Sequence, residues 1–216
     1  MYAPSPANQW RVRLPQVPAA GLHHGRHGRR FAIRPRSLEA EINWRYAKCD
    51  RHAAPESFGS FAELVGLWQA RAPGDGGLPG RTDFDVFDFK HWLGRIFIAR
   101  IEREPFNLRF SLWGTQLTDW WGVDYTNKTL GSASNDPEAL RAAELAYFKE
   151  MDREPFIGVA CGVLDQHDRS FIKVIGLDLP LLDDGNLTQV LSAHMEIHPE
   201  QDILDVLPDC PILHTF

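Results

Sequence analysis

The segment HMEIH near the end of the chain has residue types that could bind a metal ion. On a β-strand alternate residues face the same side, so His194, Glu196 and His198 would lie on one face in steps of about 7 Å. Imidazole and carboxylate groups are suitable ligands for zinc. An ordinary half-exposed strand surface, shared with Val190 and Ser192, explains the same spacing, and we therefore predict no metal site.

Nucleophilic catalysis has no support in the sequence, which contains no GxSxG motif. His167 and Asp168 fall in a predicted hairpin turn, with no candidate nucleophile nearby in sequence. The stretch GDGG at 74–77 lacks the lysine and the hydroxyl residue of a phosphate-binding loop, and it does not join a strand to a helix. We therefore predict that the protein is not an enzyme.

The three cysteines, Cys49, Cys161 and Cys210, are odd in number and show no CxxC spacing. This distribution argues against a disulfide framework and against a thiolate zinc site. Free cysteine behaves mainly as a small apolar residue, so we expect mostly buried thiols in a protein of the reducing cytoplasm.

The charge of the chain is unevenly distributed. The net charge is −6, but residues 1–36 contain seven arginines and no acidic residue and so carry +7, which leaves −13 for residues 37–216. An acidic body repels phosphates, so we do not expect nucleic acid as a partner. The first 36 residues show no apolar periodicity, and we predict a disordered basic tail. No apolar run approaches the roughly 18 residues of a membrane span, so we expect a soluble protein.

The apolar periodicity predicts an α+β domain after this tail. Phe58 and Phe61 recur at helical spacing, whereas Leu108 and Phe110 alternate with polar residues as in a strand. The predicted elements are helices at 58–71, 116–122 and 137–150, and strands at 95–102, 107–115, 155–164, 170–182 and 187–197. Short turns between strands favour five antiparallel strands, with the helices that follow the second strand gathered on one face of the sheet and with an N-terminal amphipathic helix.

Three motifs in this arrangement resemble those of a bacterial family of stand-alone PAS domains. LPGRTDFDVFDF is similar to an LPxRxDFDPxDL-like stretch, FSLWGT to a YRLxGT-like strand, and GVDYTN to a GxDxTG-like loop. The motif positions correspond in this sequence to Leu78, Pro79, Arg81, Asp83, Phe84, Asp85, Asp88, Phe89, Phe110, Leu112, Gly114, Thr115, Gly122, Asp124, Thr126 and Asn127. The sequence departs from the family at Val86, Trp113 and Asn127, although asparagine tolerates the left-handed backbone that we predict at Asn127 and Gly131.

The resemblance covers about residues 60–196 and implies a PAS-like five-stranded antiparallel sheet. It divides the chain into a tail at 1–36, a linker or short helix at 37–57, a PAS-like domain at 58–198 and a C-terminal tail at 199–216. The implied role is sensory or protein-interacting, with signals passed on by protein contact and without catalysis.

Two cofactors of PAS domains need side chains that this sequence lacks. Haem-binding versions use a histidine on or beside the long helix, and residues 116–160 contain no histidine. Flavin photochemical versions use a cysteine after the second strand, and no cysteine lies between residues 50 and 160. The resemblance therefore predicts neither haem nor flavin, and any cofactor is unknown.

A curved sheet that faces short helices leaves a concave apolar space, which is the usual setting for a small-molecule site. The candidate contacts are Phe110, Leu112, Trp113, Trp120, Trp121 and Tyr147. Aromatic rings provide large contact areas at low entropy cost, which suits a small apolar or planar ligand. Two alternatives stay open: a small enzyme, which would place titratable side chains in the cavity, and a dimerisation module with a closed core. The apolar strand faces favour binding, with a small molecule, a partner protein or a second copy of the chain as the partner.

Overall fold

The computed structural model describes residues 43–74, 76–133, 138–183 and 186–216. The predicted tail at 1–36 and the start of the predicted linker, at 37–42, lie outside the described residues. Within the described ranges, no helix combines the length and the apolar character that a membrane crossing requires.

The described residues form one antiparallel sheet of seven strands, in the spatial order β3-β2-β6-β5-β4-β1-β7. In chain order the strands are β1 (Trp44–Cys49), β2 (Ile96–Arg103), β3 (Phe106–Trp113), β4 (Ile157–Leu164), β5 (Arg169–Asp183), β6 (Asn186–Ile197) and β7 (Ile212–Thr215). The five predicted strands correspond to β2 to β6, and each hairpin between them joins strands that are close in sequence. The sheet therefore has two strands more than the sequence analysis predicted.

The described helices follow the predicted positions with shifted ends. They are α1 (Ala62–Arg71), α2 (Thr115–Trp121), α3 (Glu138–Arg153) and the short α4 (Ile203–Val206). A 3-10 helix at Pro55–Phe61 leads into α1, so the predicted helix at 58–71 divides into two pieces. Gly59, within the 3-10 segment, has a φ of 51°, a left-handed conformation that interrupts regular helix three residues before α1 begins.

The two additional strands lie in segments predicted to be a linker or short helix (37–57) and an irregular or short helical tail (199–216). β1 pairs with β4 on one side and with β7 on the other. Tyr46, Ala47 and Cys49 of β1 are buried, and the Cys49 Sγ lies 3.1 Å from the Cys210 Sγ. Pairing with distant strands thus determines the conformation of β1, and this outweighs the weak helical tendency of its own residues.

The sheet is covered on both faces, so a shared face is found for α2 and α3 but not for the N-terminal α1. One face packs against α1 and the segment 203–210, and the other packs against α2 and α3. Consecutive β5 residues face opposite sides, since Val174 belongs to the α3 side and Ile175 to the α1 side. A strand buried on both faces has a nearly continuous apolar sequence, as VIGLDLPLL in β5 does.

A β-bulge in β3 reverses the expected direction of two side chains. Ala99 of β2 pairs with Phe110, whereas the preceding Ile98 pairs with Leu112, so Ser111 is an extra residue in β3. Beyond the bulge Leu112 faces solvent with 39% of its surface exposed, and Trp113 turns inward with 9% exposed. The predicted inward stripe of Leu108, Phe110 and Leu112 therefore ends at Phe110.

This bulge predicts different costs for two alanine substitutions in one strand. Phe110→Ala should lower the free energy of unfolding by about 3–5 kcal/mol, because it empties a buried site. Leu112→Ala should change it by no more than about 0.5 kcal/mol, as expected for a surface position. Urea unfolding of the two variants measures both values, and a similar large loss for Leu112→Ala would contradict the described register.

Candidate functional site

A cavity of about 60 Å³ lies between the sheet and the cover formed by α2, the loop 122–133 and α3. Its floor includes two small residues on the central strands, Ala160 and Gly176. They lie between Tyr46 of β1 and His194 of β6 in one row of cross-strand neighbours. A Cβ atom on Gly176 would lie 2.7 Å from the His194 Nε2, so the ring of His194 rests on bare backbone. The missing side chains at the centre of the sheet create the concave surface.

Aromatic side chains on the outer strands form the walls of the cavity. Trp44 and Tyr46 of β1 stand on one side and are stacked with ring centroids 6.2 Å apart. Phe97 and Trp113 stand on the other side, stacked at 5.6 Å, and Phe110 meets Trp113 edge-on at 5.0 Å. Such offset and edge-to-face pairs hold the rings in fixed positions.

The cover contributes Trp121, Tyr125, Leu130, Leu140 and Phe148 to the lining. Its path depends on three left-handed residues, Gly122, Asn127 and Gly131, which have φ angles of 71°, 64° and 73°. The left-handed backbone predicted at Asn127 and Gly131 is therefore confirmed. These turns bring the loop back against β3, where Arg109 and Thr129 form an isolated bridge.

A buried carboxyl group connects the cover to the floor. Asp178 of β5 is only 3% exposed, and its Oδ2 accepts a hydrogen bond of 2.7 Å from the hydroxyl of Tyr147 on α3. Tyr147 reaches the sheet because a Cβ atom on Gly158 would overlap its hydroxyl. Burial raises the pKa of Asp178 to about 6, although the nearby Ser192 hydroxyl and the hydrogen bond from Tyr147 favour the ionised form. Burial and the neighbouring Asp178 also raise the pKa of Tyr147, which stays a neutral donor.

Two nitrogen atoms at the cavity have no hydrogen-bond partner within the described part of the chain, His194 Nδ1 and Trp113 Nε1. His194 is 4% exposed and lies between the rings of Phe97 and Trp121, each 5.4 Å away. Burial lowers the pKa of His194 to about 3, so the imidazole is neutral at physiological pH. Unsatisfied buried polar atoms are rare in proteins, and these two border the same space.

The structure brings three of the six predicted contact residues to the lining: Phe110, Trp113 and Trp121. Trp120 and Tyr147 are buried in the hydrophobic cluster on the same face of the sheet, but they do not line the cavity. Leu112 lies on the surface beyond the bulge and is not part of the cavity lining.

The strand faces that line the cavity are mostly apolar, as predicted, but they include Asp178 and His194. Glu144 and His167 add two further polar side chains from outside the strands. Sequence reasoning missed Asp178, although a single carboxylate inside the apolar run VIGLDLPLL is a signal for a buried charged group. His194 was considered from the sequence only as a possible metal ligand.

The HMEIH segment divides between the interior and the surface, because His194 is buried whereas Glu196 and His198 are exposed. Among the described residues, no group of three histidine, cysteine or acidic side chains could hold a metal ion.

Comparison with known proteins gives one match. A family model described as a PAS domain matches residues 57–182, which is more than half of the chain. No curated protein and no solved structure matches the chain. The matched range begins before α1 and ends within β5, so it includes the cover and most of the cavity walls, but not β1 and β6.

The close approach of Tyr147 to the sheet predicts that Gly158 tolerates no side chain. Gly158→Ala should lower the free energy of unfolding by about 1–3 kcal/mol or more, because either α3 or the strand must move. Gly74→Ala is the matched control, since no atom lies within 4 Å of a Cβ at that position. Equal stabilities of the two variants in urea unfolding would show that Tyr147 does not pack on Gly158.

The raised pKa of Asp178 predicts a pH-dependent effect of Asp178→Asn, which keeps the size and the acceptor oxygen of the side chain. The wild-type carboxyl titrates near pH 6 when folded and near 3.8 when unfolded, so its contribution to stability is complete below about pH 3.8 and is lost as the pH rises through 6. The variant should therefore gain about 1–3 kcal/mol relative to wild type between pH 4 and pH 8.

Urea unfolding of both proteins across this pH range measures the effect. His194 is present in both proteins, so its contribution to the pH dependence cancels when their free energies of unfolding are compared. The exposed Asp119→Asn on α2 is the control and should show no such change. A stability difference for Asp178→Asn that stays constant with pH would contradict the burial of this carboxyl.

Proposed function

This chain belongs to the PAS domain family, and we propose that it is a sensory domain that binds a small molecule in the cavity beneath α2 and α3. In this proposal, occupancy alters the cover, and the signal leaves by contact with another protein. The motifs around Leu78, Phe110 and Gly122 support a narrower assignment to the bacterial PAS proteins that they resemble. A cytoplasmic location is part of the same proposal, since free thiols persist in reducing compartments.

The observation that supports this function most directly is the pair of unsatisfied nitrogen atoms, on Trp113 and His194, at one cavity. An unpaired buried donor costs about 1–3 kcal/mol, and a ligand that completes its hydrogen bonds recovers that cost. A water molecule needs roughly 10–15 Å³ of such space, so a cavity of about 60 Å³ has room for roughly four to six water-sized groups. The occupant that fits is accordingly small.

We propose binding rather than catalysis, although titratable side chains border the cavity. The described lining includes no serine, threonine, cysteine or lysine, the side chains most often used as nucleophiles. With its pKa near 3, His194 is a poor general base at neutral pH. Asp178 already accepts the hydrogen bond of Tyr147, which suits a fixed recognition group.

A second candidate function is protein interaction, for which the segment 86–93 provides the supporting observation. Val86, Phe87 and Leu93 are exposed at 58%, 76% and 55% of their surfaces. Apolar side chains exposed together in one segment are typical of contact surfaces. In this alternative the partner is another protein or a second copy of the chain.

Native mass spectrometry of protein purified from its own host tests the first candidate function. We expect a retained small molecule that dissociates on unfolding and is absent from the Ala160→Leu variant, because the larger side chain fills the floor of the cavity. Leu112→Ala, on the opposite surface of β3, is the matched control and should retain the molecule. Wild-type protein that is free of any bound molecule would contradict ligand sensing, and a dimer mass in that case would favour the interaction module.

A further inference from the structure

We propose that the cavity recognises a small organic cation, an amine or quaternary ammonium compound that also carries an oxygen atom. The inference rests on the proposed function of ligand binding and specifies its chemical class. Three observations support it: the acidic groups of the lining, the number of aromatic side chains in it, and the indole nitrogen of Trp113 that has no hydrogen-bond partner among the described residues.

The charged groups that border the cavity are acidic. Asp178 and Glu144 contribute carboxyl groups, and the described lining includes no lysine or arginine. Asp178 takes part in no salt bridge within the described ranges, and the hydroxyl of Tyr147 is a neutral donor. A buried carboxylate is stabilised by an opposite charge, whereas an anionic ligand would be repelled by it. The missing positive charge is what a cationic ligand would supply.

The aromatic side chains of the lining also favour a positively charged ligand. Eight aromatic side chains surround the space: Trp44, Tyr46, Phe97, Phe110, Trp113, Trp121, Tyr125 and Phe148. The face of an aromatic ring carries partial negative charge, so it attracts a cation, most strongly when water is excluded. Cages of aromatic rings are a recognised way to bind quaternary ammonium groups. Rings on several sides of one small cavity therefore complement a compact cation better than a neutral molecule of equal size.

The unpaired Trp113 Nε1 specifies the second feature of the ligand. Indole nitrogen is a donor only, so its partner must be an acceptor such as a hydroxyl or ether oxygen. Trp113 is on β3 and Asp178 is on β5, on the same face of the sheet, with Phe97 and Ser192 as the cross-strand neighbours between them. Both side chains line the same small cavity, so a ligand there can place its charge near Asp178 and its oxygen near Trp113.

Three probes of nearly equal shape test the charge preference: choline, its neutral carbon analogue 3,3-dimethyl-1-butanol, and the anion 3,3-dimethylbutanoate. Titration calorimetry of the whole chain at pH 8 gives the three dissociation constants. We expect choline to bind at least tenfold more tightly than the alcohol, and the anion to bind most weakly. Equal or tighter binding of the alcohol would overturn the assignment of a cation.

Two variants connect the preference to named side chains. Asp178→Asn should weaken choline binding at least tenfold and leave the affinity for the alcohol unchanged, whereas the exposed Asp119→Asn should change neither. Trp113→Phe keeps a ring but removes the donor, so it should weaken choline and the alcohol alike. An unchanged choline affinity in Asp178→Asn would contradict the role of this carboxyl, and the Trp113→Phe comparison remains informative where the first variant does not fold.

The experiments distinguish a failure of the proposed ligand class from a failure of the proposed sensory function. If none of the three probes binds at millimolar concentration, the cationic class is wrong, but a molecule retained from the host still supports ligand sensing. If the retained molecule is identified as an anion or a neutral compound, the class is likewise wrong while the sensory function stands. Only protein that carries no molecule and binds no probe contradicts both proposals.

Discussion

The hydrogen bond between Tyr147 and Asp178 is the constraint on which the arrangement of the domain depends. It joins the long helix α3 to the central strand β5 across the interior of one face of the sheet. The bond requires a bare backbone at Gly158, a carboxyl group in the middle of an apolar strand and a fully buried tyrosine. Because a polar group buried without its partner is costly, this contact favours one position of α3 above the sheet, in which the apolar side chains of α2 and α3 also pack.

The cavity follows from where large and small side chains lie on that face. The central strands carry Gly158, Ala160, Gly176 and Ser192, while the flanking strands carry tryptophan, tyrosine and phenylalanine. Close packing would normally fill such a depression, but Tyr147 and His194 hold the neighbouring rings at their places. The same carboxyl that anchors the helix lowers the stability of the unliganded domain above pH 6, as is common where a binding site opposes the stability of the fold.

We could predict the elements whose conformation depends on local sequence. We could not predict those whose conformation depends on partners far away in the chain. Alternating and helical periodicity were sufficient for β2 to β6 and for the positions of α1, α2 and α3. β1 and β7 were missed because each is short and is stabilised by neighbours far away in sequence. The bulge at Ser111 leaves no mark in the alternation of FSLW, so Leu112 was placed on the wrong side. Asp178 was missed because the run around it was interpreted only as apolar.

The position of β1 also determines the order in which the sheet assembles. Each of β2–β3, β4–β5 and β5–β6 is a local hairpin, which closes a short loop and forms rapidly. β1 precedes the other described strands during synthesis, yet its partners on β4 and β7 follow more than 100 residues later. β1 can therefore join the sheet only after α3 and β4 have been synthesised, and until then Trp44 and Tyr46 lack the surfaces that they pack against.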